Sequence, residues 1–158
     1  ASFRAAPRTS LDAPAQKVAT AKTQAKEQGR ELGVYTVGVI TCRPTTKEAE
    51  DYYHYSIVEH ADWKAVDDIL ALKNSTAQNT APEKFQQIRN GYAQGMGGLP
   101  IVGDPDHVAG QLIDLSRAGL TGVAVSLVNY IDEFPHLRDE VLPRMERLGL
   151  RQPVRAYA

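Results

Sequence analysis

The sequence predicts an α/β fold in which parallel strands alternate with helices. Residues 34–42, VYTVGVITC, and residues 121–129, TGVAVSLVN, are rich in β-branched side chains and apolar at successive positions. Strands read that way when helices cover both faces of a parallel sheet. Between them lie stretches with apolar residues at helical spacing, each punctuated by glycine. Strand, helix, strand, helix joined by tight glycine turns is the signature of right-handed βαβ units.

Taken in order, residues 1–6 read as a short strand or its tail, and residues 7–11 as a loop. Asp12 is placed to N-cap a helix whose first turn tolerates Pro14. Val18, Ala21 and Ala25 share one face of that helix, and Gly29 and Gly33 punctuate its end. The strand at 34–42 follows. Pro44 and Thr45 open a second helix, which needs Tyr52, Tyr55 or Ile57 against the sheet. Residues 63–72 continue as an amphipathic helix through Val66, Ile69 and Leu70. Composition then turns to Asn, Ser, Thr and Gln over 73–82, which reads as a mobile excursion. A short helix begins at Pro82, and the glycines at 95, 97 and 98 lead into a strand at 99–103. Asp104 caps the next helix with Pro105 at its first position and Asp106 in its first turn, so cap and helix dipole agree. Val108, Leu112, Ile113 and Leu115 form its apolar face, Ala118 and Gly119 close it, and the strand at 121–129 leads to a final helix at 134–148.

Length and charge bound the function. At 158 residues the chain suffices for one domain with a sizeable core. Eighteen Lys and Arg against nineteen Asp and Glu leave a formal charge of −1, so no net field recruits nucleic acid or an anionic membrane. No apolar run approaches a membrane span, and the N-terminus lacks the apolar core of a signal peptide. The sequence reads as that of a cytoplasmic protein, and its initial Ala as that of a trimmed chain or a piece of a longer one. The single Cys42 offers neither a disulfide nor a thiolate metal site, and the four histidines make no zinc pattern.

Chemistry is sparse. Thr41, Cys42 and Arg43 sit at the C-terminal end of a predicted parallel strand, where α/β folds bind ligands. For Cys42 a small buried hydrophobe is the plainer account. His54, among Tyr52, Tyr53 and Tyr55, reads as part of a helix with some rings exposed. The Gly-Met-Gly-Gly run fails both the phosphate-loop and the dinucleotide patterns. Asn129 and Tyr130 are a polar pair directly after an apolar strand, although a turn explains part of that placement. Asp132, Glu133, Asp139 and Glu140 read as solvated helix faces.

The order and spacing of several short motifs resemble the C-terminal half of the bacterial-luciferase-like flavin-dependent monooxygenases. They look most like the branch that oxidises dimethylsulfone and alkanesulfonates. The motifs are a Gly-x-Pro capped helix with Val-Ala near its start (Gly103, Pro105, Val108, Ala109) and an Ala-Gly-x-x-Gly turn (Ala118, Gly119, Gly122). A strand ending near Tyr130 and a Leu-Pro before a terminal Gly-Leu-Arg follow (Leu142, Pro143, Gly149, Leu150, Arg151). Upstream, Thr45 or Thr46 with Glu48 and Ala49 also fits.

The resemblance implies half of a TIM (β/α)8 barrel, since a whole one needs roughly 250 residues. Residues 1–158 then form a single partial barrel domain, with strands 5, 6, 7 and 8 at residues 1–6, 34–42, 99–102 and 122–129. Residues 60–98 become an insertion before the seventh strand, lid-like over the mouth. It further implies reduced FMN as cofactor (less so the deazaflavin F420), O2, a separate flavin reductase and a small organic substrate, organosulfur compounds included. Thr41, Cys42, Arg43, Asn129 and Tyr130 would line the flavin pocket, and Gln94 and Arg89 would contact substrate. Where alkanesulfonate-type members carry an arginine before the seventh strand, this chain has Gln94, which favours a neutral substrate over a sulfonate. The family's phosphate-binding stretch aligns upstream of Ala1, and no catalytic residue is assigned. The rival expectation is a non-catalytic half-barrel, or a fragment that self-associates because its sheet edges are open; a homo-oligomer or a missing N-terminal half follows from either reading.

Overall fold

The computed structural model describes residues 11–75, 77–95 and 97–153, so the expected strand at 1–6 lies outside the described residues. Helix α1 spans Asp12–Glu27, β1 Tyr35–Cys42, α2 Thr46–His54, α3 Trp63–Leu72, α4 Pro82–Gly95, β2 Leu99–Gly103, α5 Pro105–Arg117, β3 Gly122–Ser126, α6 Tyr130–His136 and α7 Leu142–Arg147. Among the described residues the three strands are parallel, in the order β2-β1-β3. The α/β class is as expected.

The order is not the one expected of barrel strands 6, 7 and 8. In a barrel wound in chain order the strand at 99–102 would lie between the other two, whereas here β1 occupies the middle. Its length allows this. The eight residues of β1 accept β3 along Tyr35–Val39 and β2 along Gly38–Cys42, two five-residue strands at staggered heights. The stagger also corrects the expectation of strands buried on both faces. Val39 to Cys42 are buried, but Tyr35 and Val37 stand 68% and 47% exposed where only β3 flanks them. On β3 itself Ala124 and Val125 are exposed, because its outer edge has no neighbour among the described residues.

The core lies between the sheet and the C-terminal helices. Ile40, Cys42 and Ile101 meet Val108, Leu112 and Leu115 of α5, with Leu127, Leu137 and Val141 completing the cluster. Gly38 permits this closeness: a Cβ there would lie 2.7 Å from Val123 Cγ1 and 2.8 Å from Ile101 Cδ1. Asp104 caps α5 as the sequence predicts, its carboxylate accepting from His107 N at 2.9 Å. Ile113, expected on the buried face, is only half-buried.

Two helices depart from their expected shape. The last begins at Tyr130, not 134, because Asn129 Oδ1 accepts from the Ile131 and Asp132 amides and starts it four residues early. A π-helical turn at Leu137–Val141 joins α6 to α7 where Pro135 and Pro143 interrupt regular bonding. A second π turn, Tyr55–Glu59, ends α2 and buries Ile57, while Tyr55 turns outward at 53% exposure. At the other end of α2, Thr45 and Glu48 form a reciprocal capping box. Helix α1 is capped by Leu11 without a side-chain bond, so Asp12 is its first residue rather than its cap. Within residues 60–98, α3 and α4 pack together and Arg89 Nε and Nη2 reach Asp67 at 2.6 and 2.8 Å.

Candidate functional site

The chain leaves β1 for β2 on one side and then returns past β1 to β3 on the other. In open parallel sheets such a reversal opens a crevice at the carboxyl ends of the strands, and ligands bind there. In this sheet that position falls beyond Cys42 and Ser126, between the segments that lead into α2 and α6.

Arg43 and Glu133 join those segments. Arg43 Nη2 donates to Glu133 Oε1 at 2.6 Å, and Nη1 donates to the Cys42 carbonyl at 2.8 Å. The guanidinium carbon sits 3.8 Å from the centre of the Tyr52 ring. Glu133 Oε2 accepts from the amides of Val128 and Asn129 at 3.0 and 3.1 Å. The carboxylate therefore does two things at once: it matches a cation and satisfies two amides of the turn after β3. Glu133 is 8% exposed, which overturns its reading as a solvated helix face. The sequence carried no local signal for this. Tyr130, Ile131 and Phe134 lie at helical spacing around Glu133, and in the folded chain they face outward while the acid faces in. Periodicity alone assigns the apolar side to the interior, so it gives no sign that the acid is the buried group here.

The other predicted residues separate by role. Thr41 is buried beside Cys42 on the opposite face of β1. Cys42 belongs to the core cluster rather than the mouth. Burial pushes its thiol up to about 11, with the Asp104 carboxylate adding to the rise. Such a thiol is a packing group, not a nucleophile. Asn129 spends its side chain on the α6 cap and on Asp132, and Tyr130 stays exposed, its hydroxyl 3.4 Å from the Val125 carbonyl. Gln94 is buried, accepting from the Tyr53 hydroxyl and donating to the Gly98 carbonyl. Arg89 is held by Asp67 and stacks on Trp63 at 4.4 Å. The structure thus brings Arg43 and Asn129 together through Glu133, while the polar groups of Gln94 and Arg89 hold other parts of the fold.

An apolar cleft of about 270 Å³ opens by the outer edge of β3, bounded by Leu112, Leu115, Val123, Val125, Val141 and Met145. Ser116 and Thr121 are its polar side chains, and no charged group among the described residues faces it to orient a ligand. No group of three or more His, Cys, Asp or Glu side chains able to hold a metal occurs among the described residues. No helix among them is long and apolar enough to cross a membrane.

No protein-family model matches the sequence, and no curated protein is significantly similar to it. Solved structures are. The fold superposes on DmoA from Hyphomicrobium sulfonivorans with a TM-score of 0.70 at 16% identity, covering 89% of this chain and 36% of that one. Riboflavin lyase RcaE, solved with modified FMN and its substrate riboflavin, gives 0.71 at 19% identity, over 93% of this chain and 38% of that one. Long-chain alkane monooxygenase LadA gives 0.66 at 18% identity, over 94% and 37%. At these identities the likeness is one of fold, and the chain spans little more than a third of each enzyme's length.

Proposed function

We propose that this chain is part of a flavin-dependent, two-component monooxygenase of the luciferase-like kind. It would oxygenate a small organic substrate, organosulfur compounds included, with reduced FMN and O2, the reduced flavin coming from a separate reductase. The observation that carries the reading is the superposition of about nine-tenths of the chain on DmoA, RcaE and LadA. The motif resemblance in the sequence points the same way independently. FMN is preferred to F420 because RcaE was solved with a modified FMN.

The residues present suit the uncharged ring portion of such a cofactor better than its phosphate. Tyr52 and Tyr130 offer ring faces beside the strand ends, and Arg43 is already matched by Glu133. The bound flavin supplies the oxygen chemistry. What this chain supplies is placement: Thr41 and Arg43 after β1 and Asn129 and Tyr130 after β3 would line one wall, and the α3–α4 excursion would screen it from water. Gln94 and Arg89 would reach substrate only by exchanging their present bonds.

A second reading, a half-barrel that self-associates without binding flavin, is favoured by the open edge of β3 and the exposed Tyr35, Val37, Val125 and Val128. Anaerobic titration with reduced FMN, followed by absorbance, separates the two. Saturable binding at micromolar flavin supports the enzyme reading. A concentration-dependent dimer in sedimentation, with no flavin bound, supports the second.

A further inference from the structure

A buried ion pair is a weak source of stability, because two apolar side chains of similar size serve a core as well or better. The Arg43–Glu133 pair therefore calls for another account. A charge-matched guanidinium over a phenol ring, 3.8 Å from its centre, is what an apolar pair cannot provide. Moreover, the neighbouring cations are matched too. Arg144 meets Asp106 at 2.6 Å and Glu140 at 2.9 Å, and Lys47 meets Asp51 at 2.6 Å. Asp104 adds a further carboxylate at the head of α5, bonded to the Thr46 hydroxyl and held below the usual carboxylate range by it. Among the described residues, then, Arg43, Lys47 and Arg144 are each matched by a carboxylate, and the carboxylates outnumber them.

We propose that Glu133 sets the class of ligand this mouth accepts. By cancelling the charge of Arg43 and pinning it on Tyr52, it makes the strand ends a seat for an uncharged organic molecule and closes them to phosphate and sulfonate groups. The inference rests on the reading of the strand ends as the ligand-facing mouth, and it deepens that reading by naming the substrate as neutral. Glu133 acts through Arg43, so it is a positioning residue.

The test compares the wild-type chain with Glu133→Gln, which keeps size and an acceptor but removes the charge. Inorganic phosphate, riboflavin and FMN are the probes, read by thermal shift and titration. In the wild type, phosphate leaves the melting temperature unchanged, and riboflavin and FMN bind within about threefold of each other. In Glu133→Gln, phosphate binds about tenfold more tightly and FMN gains about tenfold over riboflavin, the size of one charge-assisted contact. Both gains vanish in Arg43→Gln/Glu133→Gln. Phosphate binding equally to both chains, or a wild type that prefers FMN tenfold through Arg43, overturns the proposal. If neither flavin binds but phosphate behaves as expected, the flavin reading fails and charge exclusion by Glu133 stands. Should Glu133→Gln not fold, the wild-type arm decides: phosphate binding or a strong FMN preference refutes, and their absence supports.

Discussion

Arg43 and Glu133, ninety positions apart in the chain, meet at 2.6 Å across the carboxyl ends of β1 and β3. The contact closes the turn after one strand onto the turn after the other. It also fixes the orientation of α6, whose buried face carries the acid and whose outward face carries Tyr130, Ile131 and Phe134.

Removing either partner should therefore cost more than a surface pair. Glu133→Ala strands a cation and two turn amides, and we expect a loss of about 2–3 kcal/mol in urea unfolding, below the figure for a fully buried pair because Arg43 is partly open to water. A double-mutant cycle with Arg43→Ala should return a coupling of about 1–2 kcal/mol. A coupling under about 0.5 kcal/mol would place the pair among ordinary surface contacts.

Asp104 should give stability a definite acid limb. Its carboxyl is held below its ordinary value of 3.8, first by the Thr46 hydroxyl and then by the His107 amide. A group depressed in the folded state stabilises at pH above its unfolded value and loses that contribution as pH falls through the folded one. Asp104→Ala should cost about 1 kcal/mol at neutral pH as a lost cap, and the gap should narrow below about pH 4. Melting curves of both proteins from pH 7 to 2 check this, and a gap independent of pH would contradict it.

Cys42 should be silent toward thiol reagents in the native state. With its thiol pushed up to about 11, roughly one molecule in a thousand carries the thiolate at pH 8, and burial blocks access besides. Ellman's reagent should titrate it only in denaturant. Fast reaction of the folded chain would mean that β1 and α5 open readily.

Gly38 is predicted to tolerate no side chain. An alanine Cβ would press on Val123 and Ile101 at under 3 Å, and overpacking of this kind costs about 1–3 kcal/mol. Adding Val123→Ala should restore part of the loss in thermal melts. No recovery would point to strain in the sheet backbone instead.

Gln94 should prove structural before it proves functional. Its amide links Tyr53 on α2 to the Gly98 carbonyl just before β2, so Gln94→Ala should destabilise by about 1–2 kcal/mol. Tyr53→Phe, which loses the same bond from the other side, should be strongly non-additive with it. Additive losses would show that the two groups act separately.

Local chemistry carried much of this into the sequence. The run from Asp104 and Pro105 to Gly119 reads as a capped helix because each residue acts within its own turn, and the structure returns it with Asp104 as its cap. Helix α3 takes its expected bounds through the helical spacing of Val66, Ile69 and Leu70, while its Asp62 cap was not read from the sequence. The early start at Asn129 was missed because Asn is equally a turn former and a cap, and only the amides it meets decide between them. The two π turns left no period to read.

By itself the sequence determined the α/β alternation, the places of β1, β2 and β3, and the Asp104 cap and Gly119 turn that bound α5, since all of these follow from interactions over a few residues. Tertiary structure decided which strand lies in the middle, which face of α6 turns inward, and that Cys42 packs while Arg43 meets Glu133. Strand order depends on where crossovers land, and a buried carboxylate depends on a cation from a distant segment. Neither leaves a local periodic trace in the chain.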